Sequence, residues 1–146
     1  MKVRELMTGD PSSVESNATL GQVATLMKQE DCGSIPVVDG TRLVGIVTDR
    51  DIVIRGVAAG KDPKTLRVSE VMSANPVTVG PDDDIKQAEK VMADRQIRRL
   101  PVVEKGALVG ILVTAQIARA GDERATGETL KEISAPANGR GSHARG

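Results

Sequence analysis

The chain has 146 residues with 20 basic and 20 acidic side chains, so its formal net charge at pH 7 is zero. This length allows one compact domain or two small modules with a shared core, and the neutral balance gives no overall field that would attract nucleic acid or an anionic membrane. The sequence contains no Phe, Tyr or Trp, which removes the aromatic platforms that usually hold single-stranded nucleic acid.

A few further sequence features bear on where the protein is found in the cell and on which reactions it could catalyse. No apolar run is long enough for a membrane helix, and the opening MKVRELMTGD lacks the apolar stretch of a secretory signal. Cys32 is the only cysteine and His143 the only histidine, so an intrachain disulfide is impossible and the commonest general base is missing from the region before the tail. We therefore expect a cytoplasmic protein that is not an enzyme, with no catalytic residues, no metal site and no required cofactor.

A gapless repeat organises the chain. Shifting the sequence by 65 positions aligns residues 3–56 with residues 68–121, so that Pro36-Val37-Val38 matches Pro101-Val102-Val103. Such a match indicates one duplicated unit. The predicted domains are repeat 1 with its linker (residues 1–65), repeat 2 (residues 66–121) and a C-terminal tail (residues 122–146).

In repeat 1, a short amphipathic opening leads to a brief strand that ends at Val14, followed by a helix with Thr19 and Gln22 at the spacing of a capping pair. Two β-rich runs, residues 34–38 and 43–48, flank the tight-turn dipeptide Asp39-Gly40. A last helix over residues 49–59 is expected to end at Gly60.

Repeat 2 follows the same order, with a brief strand to Val79, a capping pair at Asp84 and Gln87, strands over residues 99–103 and 108–113, and a helix over residues 114–120 before Gly121. In the tail we predict one helical turn over residues 128–133 and then disorder, because the composition there is low in apolar residues.

The predicted fold class is α/β (α+β), with two pseudo-twofold-related units. Each unit reads β-α-β-β-α and has a three-stranded sheet and two helices. A unit of this size buries little core alone, so we expect the two to pack together and leave clefts related by the pseudo-twofold axis.

Thr48 and Asp51 are the first candidate ligand-binding residues. They lie where a strand is predicted to pass into a helix, and the first-turn N–H groups of a helix are available to a phosphate. An ionised Asp accepts hydrogen bonds and suits ribose hydroxyls. The same spacing also fits a capping pair that needs no ligand. Repeat 2 has Val113 and Gln116 at these positions, so we expect its ligand site to be lost or weakened, and Thr114 could cap the helix instead. Alternatively, the repeat 2 site binds a different ligand, or it binds phosphate through Arg98 and Arg99.

The repeated motifs resemble those of CBS domains. Met7-Thr8 with Pro11, Met72-Ser73 with Pro76, the strand I/L-P-V-V and the segment LVGIVTDRDI carry this resemblance. Residues 1–121 look like a stand-alone tandem CBS pair, or Bateman module. Residues 48–65 also resemble the small bacterial CBS proteins called hypoxic response proteins.

The resemblance implies a non-catalytic regulatory module that binds an adenosine-containing ligand between the repeats. AMP, ADP or ATP is the first expectation, and NAD or S-adenosylmethionine ranks behind. A homodimer and an unidentified protein target are also implied. The alternative function is a ligand-free dimeric interaction or structural protein with a degenerate site. The family pattern maps ligand contacts onto Thr48 and Asp51 and onto Arg98 and Arg99, whose repeat 1 counterpart is Ser34. Three further candidates are Arg50, next to the motif, and Ser13 and Thr78, on the strands expected to contact the base.

Several of these residues have ordinary structural explanations as well. Arg98 and Arg99 offer forked donors for phosphate, yet neighbours on a strand point to opposite faces, so we expect at most one in a given cleft. Arg50 is as well suited to solvent. The run Asp82-Asp83-Asp84 is interpreted as a helix start, which favours acidic residues, and not as a metal site.

Overall fold

The structure is a computed structural model that describes the backbone of residues 1–124 and the side chains of residues 1–121. It confirms the α+β class with two related units. Repeat 1 contains β1 (Thr8–Gly9), β2 (Val14–Glu15), α1 (Leu20–Glu30), β3 (Ser34–Asp39), β4 (Arg42–Thr48) and α2 (Asp49–Asp51), which runs on as a π-helix over Ile52–Val57. Repeat 2 contains β5 (Ser73–Ala74), α3 (Ile85–Arg95), β6 (Arg99–Glu104), β7 (Ala107–Val113) and α4 (Thr114–Arg124).

Repeat 1 forms three paired strands from its own segment, and repeat 2 forms two strands and a single bridge in the place of the third. In repeat 1, β2 pairs in parallel with β3, and β3 pairs antiparallel with β4 across the turn at Gly40, which has a φ of 65°. In repeat 2, β6 and β7 form the same hairpin, and the first strand shrinks to a single parallel bridge between Val79 and Val102. The predicted strand order within each unit is therefore confirmed.

Each repeat also receives a short strand from the other, which the sequence did not predict. Strand β1 of repeat 1 pairs with β7, with Gly9 opposite Gly110. Strand β5 of repeat 2 pairs with β4, with Ala74 opposite Gly45. The two hairpins meet at Arg42 and Ala107, so all seven strands form one continuous sheet.

The glycines of the two VGI segments make room for these exchanged strands. A Cβ atom on Gly45 would lie 2.5 Å from Met72 Sδ and 2.9 Å from the carbonyl oxygen of Ser73. A Cβ atom on Gly110 would lie 2.6 Å from Met7 Sδ and 2.9 Å from the carbonyl oxygen of Thr8. Only glycine permits backbones to approach so closely, which explains why both repeats keep it.

The two hydrophobic cores exchange residues in the same way. Val3 is fully buried among Ile85, Leu100 and Leu112, in the core of repeat 2. Val68 is fully buried in the core of repeat 1, with Leu20, Val23 and Val47. The opening segment of each repeat thus completes the core of the other one.

The helix ends agree only partly with the sequence prediction. Thr19 and Gln22 form the predicted capping box, with Gln22 N–H donating to Thr19 Oγ1 at 3.2 Å. Asp84 occupies the N-cap position of α3 but makes no side-chain capping bond, so the second predicted pair is wrong. Its carboxylate lies 4.0 Å from the N-terminal amine of Met1, which competes for it.

The last helix of each repeat differs at its C-terminal end. The π-helix in repeat 1 ends in a turn where Gly60 has a φ of 74°, as its predicted capping role requires. In repeat 2, α4 continues through Gly121 to Arg124, so the predicted end before Gly121 is wrong, because a glycine stops a helix only where the chain takes a positive φ. The helical turn predicted over residues 128–133 lies outside the described residues.

Candidate functional site

A cavity of about 550 Å³ lies between the two repeats. Repeat 1 contributes the facing strands β3 and β4, and repeat 2 contributes the segment after β5 and the connection between α3 and β6. Its volume falls within the range of small-molecule sites, about 300–1,000 Å³. The lining residues are Ser34, Pro36, Ile46, Thr48, Pro76, Val77, Arg95, Gln96, Ile97, Arg98, Arg99, Pro101 and Ile111.

Thr48 lies on the cavity wall at the junction between β4 and α2, and Asp51 follows one turn later. The two side chains form a reciprocal capping box: Asp51 N–H donates to Thr48 Oγ1 at 3.1 Å, and Thr48 N–H donates to Asp51 Oδ2 at 2.9 Å. The structural explanation of this pair is therefore correct for the described chain. It does not exclude a ligand, because the Thr48 hydroxyl keeps its proton to donate and the carboxylate keeps a second oxygen.

The expectation that the first-turn N–H groups of α2 are free is wrong in two places. Asp49 N–H donates to the carbonyl oxygen of Gly33 at 2.9 Å, and Asp51 N–H is used by Thr48. A phosphate at this cavity must therefore find its donors mainly among side chains.

Those side-chain donors come from repeat 2. Arg98 and Arg99 both line the cavity, together with Arg95 at the end of α3. The expectation that at most one of the adjacent arginines enters a cleft is wrong, because β6 begins at Arg99 and strand alternation does not apply to Arg98. No carboxylate belongs to this wall among the described residues.

Arg98 and Arg99 line the same cavity as Thr48, and they also lie beside the repeat 2 motif, since Arg99 pairs with Val113 and the Arg98 carbonyl accepts from Thr114 N–H at 3.0 Å. The alternative in which they hold a phosphate for the repeat 2 motif therefore stays a prediction. Arg95 was missed from the sequence, where it looks like an ordinary basic residue in the last turn of a helix.

The remaining candidates divide into one that lines the cavity and three that do not. Ser34, opposite Thr48 in the β3–β4 pairing, lies on the wall. Ser13, Arg50 and Thr78 are exposed and are not among the lining residues. Val77, one residue before Thr78, lines the cavity. The candidate segment therefore reaches the cavity wall through the residue next to the one predicted.

The repeat 2 counterpart of the motif is held by hydrogen bonds within the protein. Val113 N–H donates to Gln116 Oε1 at 3.1 Å, and Gln116 Nε2 donates to Thr8 Oγ1 at 2.7 Å. Gln116 thus replaces Asp51 as capping acceptor and also ties α4 to the exchanged strand β1. Thr114 is the first residue of α4 and not its cap.

Of the three consecutive aspartates, Asp82 and Asp84 contact the opening segment of repeat 1 through their side chains, whereas the Asp83 side chain bonds within repeat 2. Asp82 accepts two hydrogen bonds from Arg4, at 2.9 and 3.1 Å, and this contact lowers the pKa of the Asp82 carboxyl. Asp83 accepts from Gly80 N–H at 2.9 Å. Within residues 1–121, no three His, Cys, Asp or Glu side chains are grouped so that they could hold a metal ion.

Comparison with known proteins identifies the family. A family model for the CBS domain matches residues 3–56 and again residues 68–123. The chain belongs to the CBS domain family and carries two such domains in tandem. No helix in the described part of the chain is long and apolar enough to cross a membrane.

Two curated relatives match most of the chain. The CBS domain-containing protein YhcV of Bacillus subtilis is 44% identical over 116 residues, which cover 80% of this chain and 82% of YhcV. Hypoxic response protein 1 of Mycobacterium tuberculosis is 38% identical over 134 residues, which cover 91% and 94% of the two chains.

Solved structures share the fold. Hypoxic Response Protein I, described with two coordinated zinc ions, has a TM-score of 0.76 at 38% identity and covers 82% of this chain and 98% of its own. CBSX2 in complex with AMP has a TM-score of 0.73 at 25% identity, with coverages of 84% and 97%. The CBS domain pair of MJ0100, with 5′-methylthioadenosine and S-adenosyl-L-methionine, has a TM-score of 0.72 at 26% identity, with coverages of 83% and 99%.

Proposed function

We propose that this chain is a non-catalytic regulatory module that binds an adenine nucleotide, AMP, ADP or ATP, in the cavity between its repeats. The observation that carries the proposal is the composition of the cavity wall, which contains Thr48 and Ser34 of repeat 1 together with Arg98 and Arg99 of repeat 2. Two related folds hold adenosine compounds, AMP in one and 5′-methylthioadenosine with S-adenosyl-L-methionine in the other.

The parts of the ligand have separate partners in this proposal. The Asp51 carboxylate is suited to the ribose hydroxyls, since it accepts hydrogen bonds and lies next to the wall residue Thr48. The Arg98 and Arg99 guanidinium groups are suited to phosphate, which they bind in a forked geometry. With no aromatic ring in the chain, the base would pack against aliphatic residues such as Ile46, Val77 and Ile111.

Ligand-dependent melting tests the proposal. Titration with AMP, ADP, ATP, NAD and S-adenosylmethionine should raise the melting temperature for at least one adenine nucleotide, because a ligand that binds only the folded state stabilises it. The shift should be lost in Asp51→Ala and kept in Gln116→Ala, the matched change in the other repeat. Since Asp51 also caps a helix, Asp51→Asn, which keeps one acceptor oxygen, separates lost binding from lost stability.

A second candidate function is a ligand-free interaction protein, and the closed capping box of Thr48 and Asp51 favours it. If no compound moves the melting temperature at millimolar concentration, the nucleotide proposal fails and this candidate is left.

We also propose that the chain forms a homodimer through the π-helix of repeat 1. Val53, Ile54 and Val57 lie on it with 54%, 50% and 65% of their surfaces exposed, whereas large apolar side chains elsewhere in the described chain, apart from Met1, are buried or partly buried. Exposed apolar clusters of this kind mark protein contacts. Val57→Lys should shift the mass measured by light scattering from dimer to monomer, while Ala58→Lys, one position along, serves as the control. A wild-type monomer at high concentration contradicts the proposal.

A further inference from the structure

An apolar groove of about 680 Å³ lies between α3 and α4 of repeat 2. Met92 and Ile117 belong both to its wall and to the buried core of this repeat, so the groove opens onto the core. Two small side chains, Ala93 on α3 and Ala118 on α4, are exposed on the same wall. A side chain that enters between the two helices can therefore reach core residues.

The two repeats differ at the end of their last helix. Gly56, on the π-helix of repeat 1, is buried, and a Cβ atom there would lie 2.7 Å from Leu20 Cδ1 at the start of α1. Gly121 is the matching residue of α4, and a Cβ atom there would meet nothing within 4 Å. The last helix of repeat 1 thus packs directly on its neighbour, whereas among the described residues the end of α4 leaves the groove uncovered.

The chain that continues past this groove has a pattern that fits it. Residues 125–146 contain two large apolar side chains, Leu130 and Ile133. Residues three apart lie on one face of a helical turn, which is the structure that the sequence predicts over residues 128–133. We propose that this helical turn docks in the groove of its own chain and covers the exposed edge of the repeat 2 core.

The connection is long enough for docking within one chain. Helix α4 ends at Arg124, and at about 1.5 Å per residue Ile117 lies about 10 Å back along its axis. Residues 125–129 can span up to about 17 Å when extended. The tail can therefore turn back over the groove, and Gly127 supplies a residue that adopts either sign of φ.

The charges of the groove and of the tail segment are complementary. Glu89 is the one ionisable residue among the described lining residues, and it forms no ion pair with another described residue. Lys131 lies between the two apolar residues of the tail and has the opposite charge. An exposed ion pair adds little stability, so this pair would mainly favour one orientation of the docked turn.

Methyl NMR on the full chain without nucleotide tests the proposal. In the double variant Leu130→Ser with Ile133→Ser, the Met92 methyl signal should move, because its contacts with the tail are lost. The signal of Met27, the matching residue of repeat 1, should stay in place. The melting temperature should fall by about 3 °C or more, because less apolar surface is buried.

A control in the tail and a change in the groove complete the test. Ala135→Ser with Ala137→Ser adds two hydroxyl groups to the same tail but removes no large apolar side chain, so the Met92 signal and the melting temperature should not change. Ala118→Glu puts a carboxylate into the apolar groove at an exposed position. It should displace the tail and move the Ile133 methyl signal.

Each result decides for or against docking. If the Met92 signal is the same in the wild type and in the Leu130→Ser, Ile133→Ser variant, the tail does not dock in this groove, even where the melting temperature falls. An Ile133 signal that Ala118→Glu leaves unchanged has the same meaning. If dilution of the wild type moves the Met92 signal in parallel with the mass from light scattering, a second copy fills the groove and docking within one chain is overturned. The nucleotide proposal stands or fails separately, since no nucleotide is present.

Discussion

Replacing Gly45 with alanine tests the exchange of strands between the repeats. The new Cβ atom would lie 2.5 Å from Met72 Sδ, 3.0 Å from Met72 Cγ and 2.9 Å from the carbonyl oxygen of Ser73. The methionine side chain can rotate away, but the Ser73 carbonyl belongs to β5, which pairs with β4 at this point. The strand must therefore shift, and its pairing with repeat 1 is weakened.

The expected cost follows from two opposing effects. Overpacking of this kind costs about 1–3 kcal/mol. Alanine restricts the unfolded chain more than glycine does, which returns about 0.4–1 kcal/mol. We expect Gly45→Ala to lower the free energy of unfolding by about 1–2 kcal/mol, measured by urea denaturation with an unchanged slope. Gly110→Ala, with Met7 Sδ at 2.6 Å and the Thr8 carbonyl at 2.9 Å, should cost about as much.

Gly9→Ala is the matched control. It makes the same chemical change on an exchanged strand, but its Cβ atom would meet nothing within 4 Å. The reasoning is refuted if Gly45→Ala lies within about 0.5 kcal/mol of the wild type, the range of ordinary surface substitutions, or if it costs no more than Gly9→Ala.

Two further predictions concern polar contacts between the repeats. Gln116→Leu removes the acceptor for Val113 N–H and the donor to Thr8, so it should destabilise the chain by about 1–2 kcal/mol in urea denaturation; wild-type stability would show that these bonds contribute nothing. Because Arg4 lowers the pKa of Asp82 below its ordinary 3.8, the stability lost in Asp82→Asn should be fully visible above pH 3.8 and disappear as the pH falls through the lowered pKa of the folded state. The measurement is the difference in melting temperature between the wild type and Asp82→Asn from pH 2 to pH 7, about the range of carboxyl titration. If this difference persists at acid pH, the ion pair is not its cause.

Local patterns in the sequence predicted most of the elements. Apolar periodicity and the dipeptide Asp39-Gly40 placed the helices and hairpins, and Thr19 with Gln22 formed the expected capping box. The exchanged strands could not be predicted this way, because β1 and β5 have two residues each and are defined by partners about a hundred or about thirty positions away. Short strands carry little pattern of their own.

The candidate site was predicted less completely than the fold. The candidates Thr48 and Ser34 line the cavity, but the sequence did not show whether Arg98 and Arg99 would line the same cavity. The answer depends on how the units pack across the pseudo-twofold axis, a property that no single repeat contains. Arg95 was missed for the same reason, since the sequence does not show that the end of α3 reaches this cavity.

The burial of Val3 in one core and Val68 in the other makes the two halves parts of a single unfolding unit. Each repeat loses part of its core when the opening segment of the other repeat leaves it, so the described chain should melt in one cooperative transition. Residues of both halves line the cavity, so a ligand bound there would stabilise all of this unit at once. A chain cut within the linker at residues 61–65 would consist of two fragments, each of which carries the segment that the other needs to fold.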